Sequence, residues 1–146
     1  METLTLPGTL DSLAPIREFV DRAALAAGLE RKAAYRLRLA VDEIATNVIS
    51  YGYGEAGMRG ELRLTTKMDT HTLTITLEDT GAAYDPQEAL VPADLHTPLE
   101  QRSVGGLGIF LSVSGVDEFR YQREEGRNRN LFVMHRTPEA QTEGKA

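Results

Sequence analysis

Glu61-Leu62-Arg63-Leu64-Thr65-Thr66-Lys67-Met68, then Asp69-Thr70-His71, then Thr72-Leu73-Thr74-Ile75-Thr76-Leu77-Glu78 is the stretch that decides the architecture. Leu62 and Leu64 in the first run, and Leu73, Ile75 and Leu77 in the second, alternate with polar residues. A period of two marks strands with one buried face, and a short polar break between two such runs predicts a β-hairpin. Residues 116–123 and 130–136, arranged around Glu125-Gly126, predict a second hairpin. Upstream, Thr3-Leu4-Thr5-Leu6 alternates until Pro7-Gly8 and reads as a short strand, one that either closes the sheet or pairs across a homodimer.

Between the first strand and the first hairpin the period changes to that of helices. Residues 11–27 carry Leu13, Ile16, Val20 and Leu25 near helical spacing, with Asp11 or Ser12 as the cap and Gly28 closing the end. Residues 30–51 form a longer helix with Leu37, Val41, Ile44 and Val48 on one face, ending in Tyr51-Gly52-Tyr53-Gly54. Residues 79–104 contain Gly81, Pro86, Pro92 and Pro98 and little regular period, which in a compact domain marks a lid or binding loop. A glycine-rich turn then runs into a short apolar helix over 105–113. The order β-α-α-β-β-loop-α-β-β predicts an α+β two-layer sandwich, a mainly antiparallel mixed sheet covered on one face by helices. The expected organisation is one domain over 1–136 and a polar tail over 137–146.

Composition narrows the function. A chain of 146 residues with 41% hydrophobic and 26% charged residues has the make-up of one globular domain. Sixteen basic against 22 acidic side chains leave a net charge of -6, which argues against direct nucleic-acid binding through a phosphate backbone. Without cysteine there is no disulfide, zinc-thiolate site, iron–sulfur cluster or thiol nucleophile. No apolar run has the roughly 18 residues of a membrane span, and the N-terminus lacks the pattern of a signal peptide. The expectation is a soluble cytoplasmic protein.

Three short motifs carry candidate chemistry. Glu43 and Asn47 stand four residues apart on one helix face. An amide oxygen and a carboxylate so placed serve as a Mg²⁺ ligand and a general base, or form an ordinary polar pair on a solvated face. Asp79 keeps the parity of Leu73, Ile75 and Leu77, so a strand reaching that far buries its carboxylate, where a purine amino group suits it; a strand stopping at Glu78 leaves Asp79-Thr80-Gly81 as a turn. Gly81 removes a side chain where close backbone approach is needed. Gly105-Gly106-Leu107-Gly108 precedes an apolar helical stretch, which suits either converging amides on an anion or close helix packing. Arg102, just ahead, is a candidate for a terminal phosphate or a solubilising loop residue. Arg120, Arg123, Arg127 and Arg129, interleaved with Glu124 and Glu125, read as a solvated hairpin rather than a surface for an acidic partner. His71, His96 and His135 form no cluster and read as surface or structural residues.

Taken in order, Leu39-Ala40-Val41-Asp42-Glu43-Ile44-Ala45-Thr46-Asn47, Glu78-Asp79-Thr80-Gly81-Ala82-Ala83-Tyr84-Asp85-Pro86 and Gly105-Gly106-Leu107-Gly108-Ile109-Phe110-Leu111 resemble the boxes of the GHKL ATPases. Val116-Asp117-Glu118-Phe119 and the strand pair after it extend the likeness to nearly the whole chain. Within that superfamily the chain is similar to the small anti-sigma-factor serine-protein kinases of bacteria, and its fold is then of the Bergerat type. The resemblance implies that Asn47 ligates Mg²⁺ on the ATP phosphates and that Glu43 is the general base toward a substrate serine. It implies further that Asp79 binds the adenine amino group with Gly81 flanking the base, and that Gly105, Gly106 and Gly108 hold the phosphates, with residues 95–104 in the lid. The first box reads Asp-x-Gly-x-Ala, Ala83 standing where the superfamily often has a second glycine. The implied partners are a sigma factor or analogous response protein and a STAS-type antagonist, with a homodimer allowed and a metal-dependent serine phosphatase reversing the mark. A non-catalytic ATP-binding adaptor that works only by partner exchange is the alternative. A histidine-kinase ATPase part is disfavoured, because the chain shows no dimerising phospho-acceptor domain.

Overall fold

The computed structural model describes residues 1–90 and 106–137. Among them, strands β1 (Thr3–Pro7), β2 (Glu61–Met68), β3 (Thr72–Asp79), β4 (Glu118–Glu124) and β5 (Arg127–His135) form one sheet in the order β1-β2-β3-β5-β4. All its pairings are antiparallel, so the mixed element expected from the sequence is absent among the described residues. Alternation buries Leu62, Leu64, Leu73, Ile75, Leu77, Phe132 and Met134 on one face. Against them pack Ile16, Phe19 and Val20 of α1 (Leu13–Ala26) and Leu37, Val41 and Ile44 of α2 (Arg31–Asn47). The opposite face carries Arg63, Lys67, Thr74, Thr76 and Arg129 on an open surface. The fold is therefore an α+β two-layer sandwich, with α3 (Gly106–Val113) packed beside α2. No helix among the described residues is long and apolar enough to cross a membrane.

Several local expectations change. Leu25 is 82% exposed, because nine residues at roughly 100° each put it about half a turn round from Ile16; Ala24 and Ala27 are buried there instead. Neither Asp11 nor Ser12 caps α1 with its side chain: a 3₁₀ turn at Leu10–Ser12 leads in, and the Ser12 hydroxyl donates to the Pro7 carbonyl at 2.6 Å. Gly28 closes α1 as expected, at φ +72°. The second hairpin is tighter than expected, since Glu125 and Gly126 both take positive φ (47° and 77°) in a two-residue turn that extends β5 back to Arg127. The His71 and His135 side chains lie at the sheet's end; His96, with the rest of 91–105 and 138–146, lies outside the described residues.

The largest departure follows α2. The α-helix stops at Asn47, and Val48–Glu55 continues as a π-helix, so Tyr51-Gly52-Tyr53-Gly54 is helical rather than a terminating turn. The wider π turns carry Tyr53 into the core, 2% exposed, with its hydroxyl donating to the Glu61 carbonyl at 2.7 Å and accepting from the Thr80 amide at 2.9 Å. One phenol thus ties the end of the helix to the start of β2 and the end of β3. Tyr53→Phe is expected to lower stability by about 1–2 kcal/mol, read as a lower urea midpoint at unchanged m-value.

Candidate functional site

Strand β3 persists through Asp79, and parity turns its carboxylate into the interior at 2% exposure. Of the two sequence readings, the buried one holds. Oδ1 accepts from the Gly81 amide at 2.9 Å and from Asn128 Nδ2 at 2.9 Å. Oδ2 is buried and has no partner. Burial pushes the carboxyl above the usual aspartate range, opposed in turn by the Asn128 bond, the Gly81 amide and the charge of Arg123.

Asp79 lines a cavity of about 120 Å³. It is lined by Ile44 and Asn47 of α2, by Val48, Tyr51 and Gly52 of the π-helix, and by Ala82, Ala83, Tyr84 and Pro86 after β3. Asn128 and Asn130 of β5 complete the polar floor beside Asp79, and the Asn130 Oδ1 is likewise buried without a partner. Burial raises the Tyr84 phenol above its ordinary range, with Glu88 and Asp85 adding to the effect, so it faces the cavity as a neutral group. An apolar slot with an unsatisfied carboxylate oxygen is built for a flat heteroaromatic ring bearing a hydrogen-bond donor.

Gly81 has a definite packing role. A Cβ there would lie 2.7 Å from the Gly52 carbonyl oxygen and 2.9 Å from its carbon, and the next amide, Ala82, donates to the same oxygen at 3.0 Å. What approaches Gly81 in the described structure is the π-helix, which presses the loop down so that its amide reaches Asp79.

Of the other candidates, Asn47 borders the cavity and Glu43 sits one helical turn earlier, half-buried on α2. Gly106 and Gly108 fall in the first turn of α3. Gly105, Arg102 and the expected lid at 95–104 lie outside the described residues. Sequence reading missed Asn128 and Asn130. Both share the parity of Phe132 and Met134, and a strand begun at Arg127 rather than Asn130 would have marked two amides pointing into the interior. It took the hairpin arginines as solvated, and Arg120, Arg123 and Arg127 are indeed exposed. Arg129 and Arg127 do pair with Glu78 on the open face, and Arg120 with Glu118, but Arg123 binds Asn128 and the Gly81 carbonyl.

The family model for the histidine kinase-like ATPase domain matches residues 6–134. The chain belongs to this family. Among its relatives, the serine/threonine-protein kinase BtrW of Bordetella bronchiseptica is 28% identical over 139 residues, 95% of this chain and 96% of that protein. The serine-protein kinase RsbW of Halalkalibacterium halodurans is 28% identical over 131 residues, 82% of this chain and 79% of that one. RsbW of Bacillus subtilis is 31% identical over 93 residues, 62% of this chain and 58% of the relative. The histidine kinase domain from the Erythrobacter litoralis EL346 blue-light activated histidine kinase superposes with a TM-score of 0.54 at 18% identity. That match covers 90% of this chain and 61% of the other, and is a likeness of fold.

Two outcomes follow from the geometry. Gly81→Ala forces a methyl against backbone, and a loss of roughly 1–3 kcal/mol is expected in chemical denaturation. Because the folded state raises the Asp79 carboxyl, its contribution to the stability of the nucleotide-free protein is fullest below the ordinary aspartate pKa and is lost as pH rises through the elevated folded value. Asp79→Asn lacks that loss, so the melting temperature of the variant relative to wild type is expected to climb from about pH 3.5 to 7; a constant difference would contradict the burial account.

Proposed function

We propose that this chain is an ATP-dependent serine-protein kinase that is also an anti-sigma factor, holding a sigma factor or analogous response protein and phosphorylating a STAS-type antagonist in the cytoplasm. The observation that carries the nucleotide part is Asp79, which lines an apolar cavity and whose Oδ2 is buried without a partner. The adenine amino group supplies the missing donor, while Ile44, Val48 and the Tyr51 side enclose the ring. The names of the relatives BtrW and RsbW support protein phosphorylation, and the partners follow from the anti-sigma-factor resemblance, as does the allowance for a homodimer.

Phosphoryl transfer requires mainly positioning and charge neutralisation. Asn47 offers a neutral amide oxygen at the cavity edge, and among the described residues no group of three or more His, Asp or Glu side chains could hold a metal alone. That donor set fits Mg²⁺, which takes its remaining ligands from phosphates and water. Bound there, the ion would supply charge neutralisation on the transferring group. Gly106 and Gly108 bring first-turn amides of α3 toward the phosphates, and Gly105 and Arg102 join them in this reading by the resemblance. Glu43 accepts the proton of the substrate serine as its Oγ bonds to the γ-phosphorus. The bond from that phosphorus to the β,γ-bridging oxygen breaks, and ADP leaves.

Calorimetric titration of nucleotide-stripped protein with ATP, with and without Mg²⁺, is expected to show micromolar or tighter binding that Asp79→Asn abolishes. Glu43→Ala is expected to bind ATP normally yet transfer no labelled γ-phosphate to the antagonist. A wild type that binds ATP and transfers nothing would favour the adaptor that works by partner exchange alone.

A further inference from the structure

Arg123 stands on the edge strand β4 directly opposite Asn128 on β5, and residues so paired share a sheet face. Its Nη1 donates to Asn128 Oδ1 at 3.0 Å and to the Gly81 carbonyl at 3.1 Å. Tyr121, two positions back on the same face, donates its hydroxyl to the same Oδ1. A carboxamide oxygen has two lone pairs, and here both are engaged. Asn128 therefore turns Nδ2 inward, where it donates to Asp79 Oδ1 at 2.9 Å, the Ala82 carbonyl at 3.0 Å and, more weakly, the Gly81 carbonyl at 3.4 Å. Reversing the amide would set its oxygen against a carboxylate and two carbonyls, and its NH₂ against the Arg123 guanidinium, which can only donate. The donors thus run in one direction from the sheet edge to Asp79, and the oxygen left for a ligand is an acceptor.

We infer that Tyr121 and Arg123 are positioning residues that, through Asn128, make the cavity choose a 6-amino purine over a 6-oxo purine; the inference rests on the nucleotide-binding reading above. A 6-amino group donates to Asp79 Oδ2, whereas a 6-oxo group would bring a second oxygen against it. A site built to receive a donor rejects a ligand without one because the buried acceptor is left bare. The discrimination holds only while Asp79 is ionised, since a protonated Oδ2 would itself donate to a 6-oxo group. Around Asp79 the described groups are the neutral amides of Asn47, Asn128 and Asn130, the phenols of Tyr51, Tyr84 and Tyr121, and Arg123, whose charge opposes the effect of burial. Removing Arg123 withdraws a charge that favours the carboxylate and a bond that orients its partner amide.

The test is the dissociation constants of ATP and GTP, each with Mg²⁺, for wild type, Arg123→Met, Arg123→Lys and Tyr121→Phe, with circular dichroism to check folding. Arg123→Met is expected to bind ATP on the order of tenfold more weakly and to narrow the ATP preference over GTP by a similar factor. Arg123→Lys, which keeps the charge and a donor, is expected to restore most of the preference, and Tyr121→Phe to narrow it less than Arg123→Met. If Arg123→Met does not fold, narrowing in Tyr121→Phe carries the inference and an unchanged preference overturns it. Equal weakening of both nucleotides in a folded Arg123→Met, or an unchanged ratio, would mean a merely structural role. A wild type that prefers ATP beside variants that keep the same preference overturns this inference alone. Wild-type protein binding neither nucleotide would overturn the nucleotide-binding reading and this inference with it.

Discussion

The Asp79 carboxylate has one oxygen bonded and one bare inside the protein, and the surrounding structure is arranged to keep it so. A buried unpaired acceptor is destabilising, on the order of 1–3 kcal/mol, unless something supplies its donor. Here the fold supplies two donors to Oδ1 and withholds any from Oδ2. The strand parity of β3 turns the group inward, the Gly52–Gly81 contact presses the loop amide onto it, and Asn128 approaches from the paired strand. Each of these would be spoiled by an ordinary side chain at Gly81 or a slip of one residue in register. A ligand with a donor at the right place completes the set.

Much of this was legible in the chain. Alternation in the Glu61 to Glu78 stretch marked the hairpin, and the same parity, if carried to Asp79, offered the buried carboxylate as one of two readings. The apolar face of α2 was also readable, because four residues at helical spacing leave little ambiguity. Most of what failed shares a physical cause: the information lay in tertiary pairing. The π-helix at Val48–Glu55 exists to seat Tyr53 and offer the Gly52 carbonyl to a loop almost 30 residues away in the chain, and no local period announces it. Asn128 was hidden because a type of turn that permits positive φ at Glu125 lengthened β5 beyond its apolar residues. Leu25 was a simple error of phase.

The edge strand shows how polar and apolar work divide along one sheet face. At one end Phe119 and Phe132 meet edge-on with ring centroids 5.3 Å apart, closing the core. Four residues along, Arg123 faces Asn128 and the apolar pairing gives way to hydrogen bonds around the cavity. The sandwich is thus a hydrophobic clamp for most of its length and a polar receptor at the end where β3, β5 and the π-helix converge. The open face, with Glu78 between Arg127 and Arg129, takes no part in that receptor.

The central claim is that Asp79 waits for a donor, and the most direct test is its own titration. Carbon-13 NMR of the Asp79 carboxyl, followed against pH without nucleotide and with saturating ATP, reports both states. The account predicts a carboxyl pKa above the usual aspartate range in the free protein, falling when ATP binds, because a donated hydrogen bond favours the charged form. An ordinary value in the free protein, or one that ATP leaves unmoved, would contradict it.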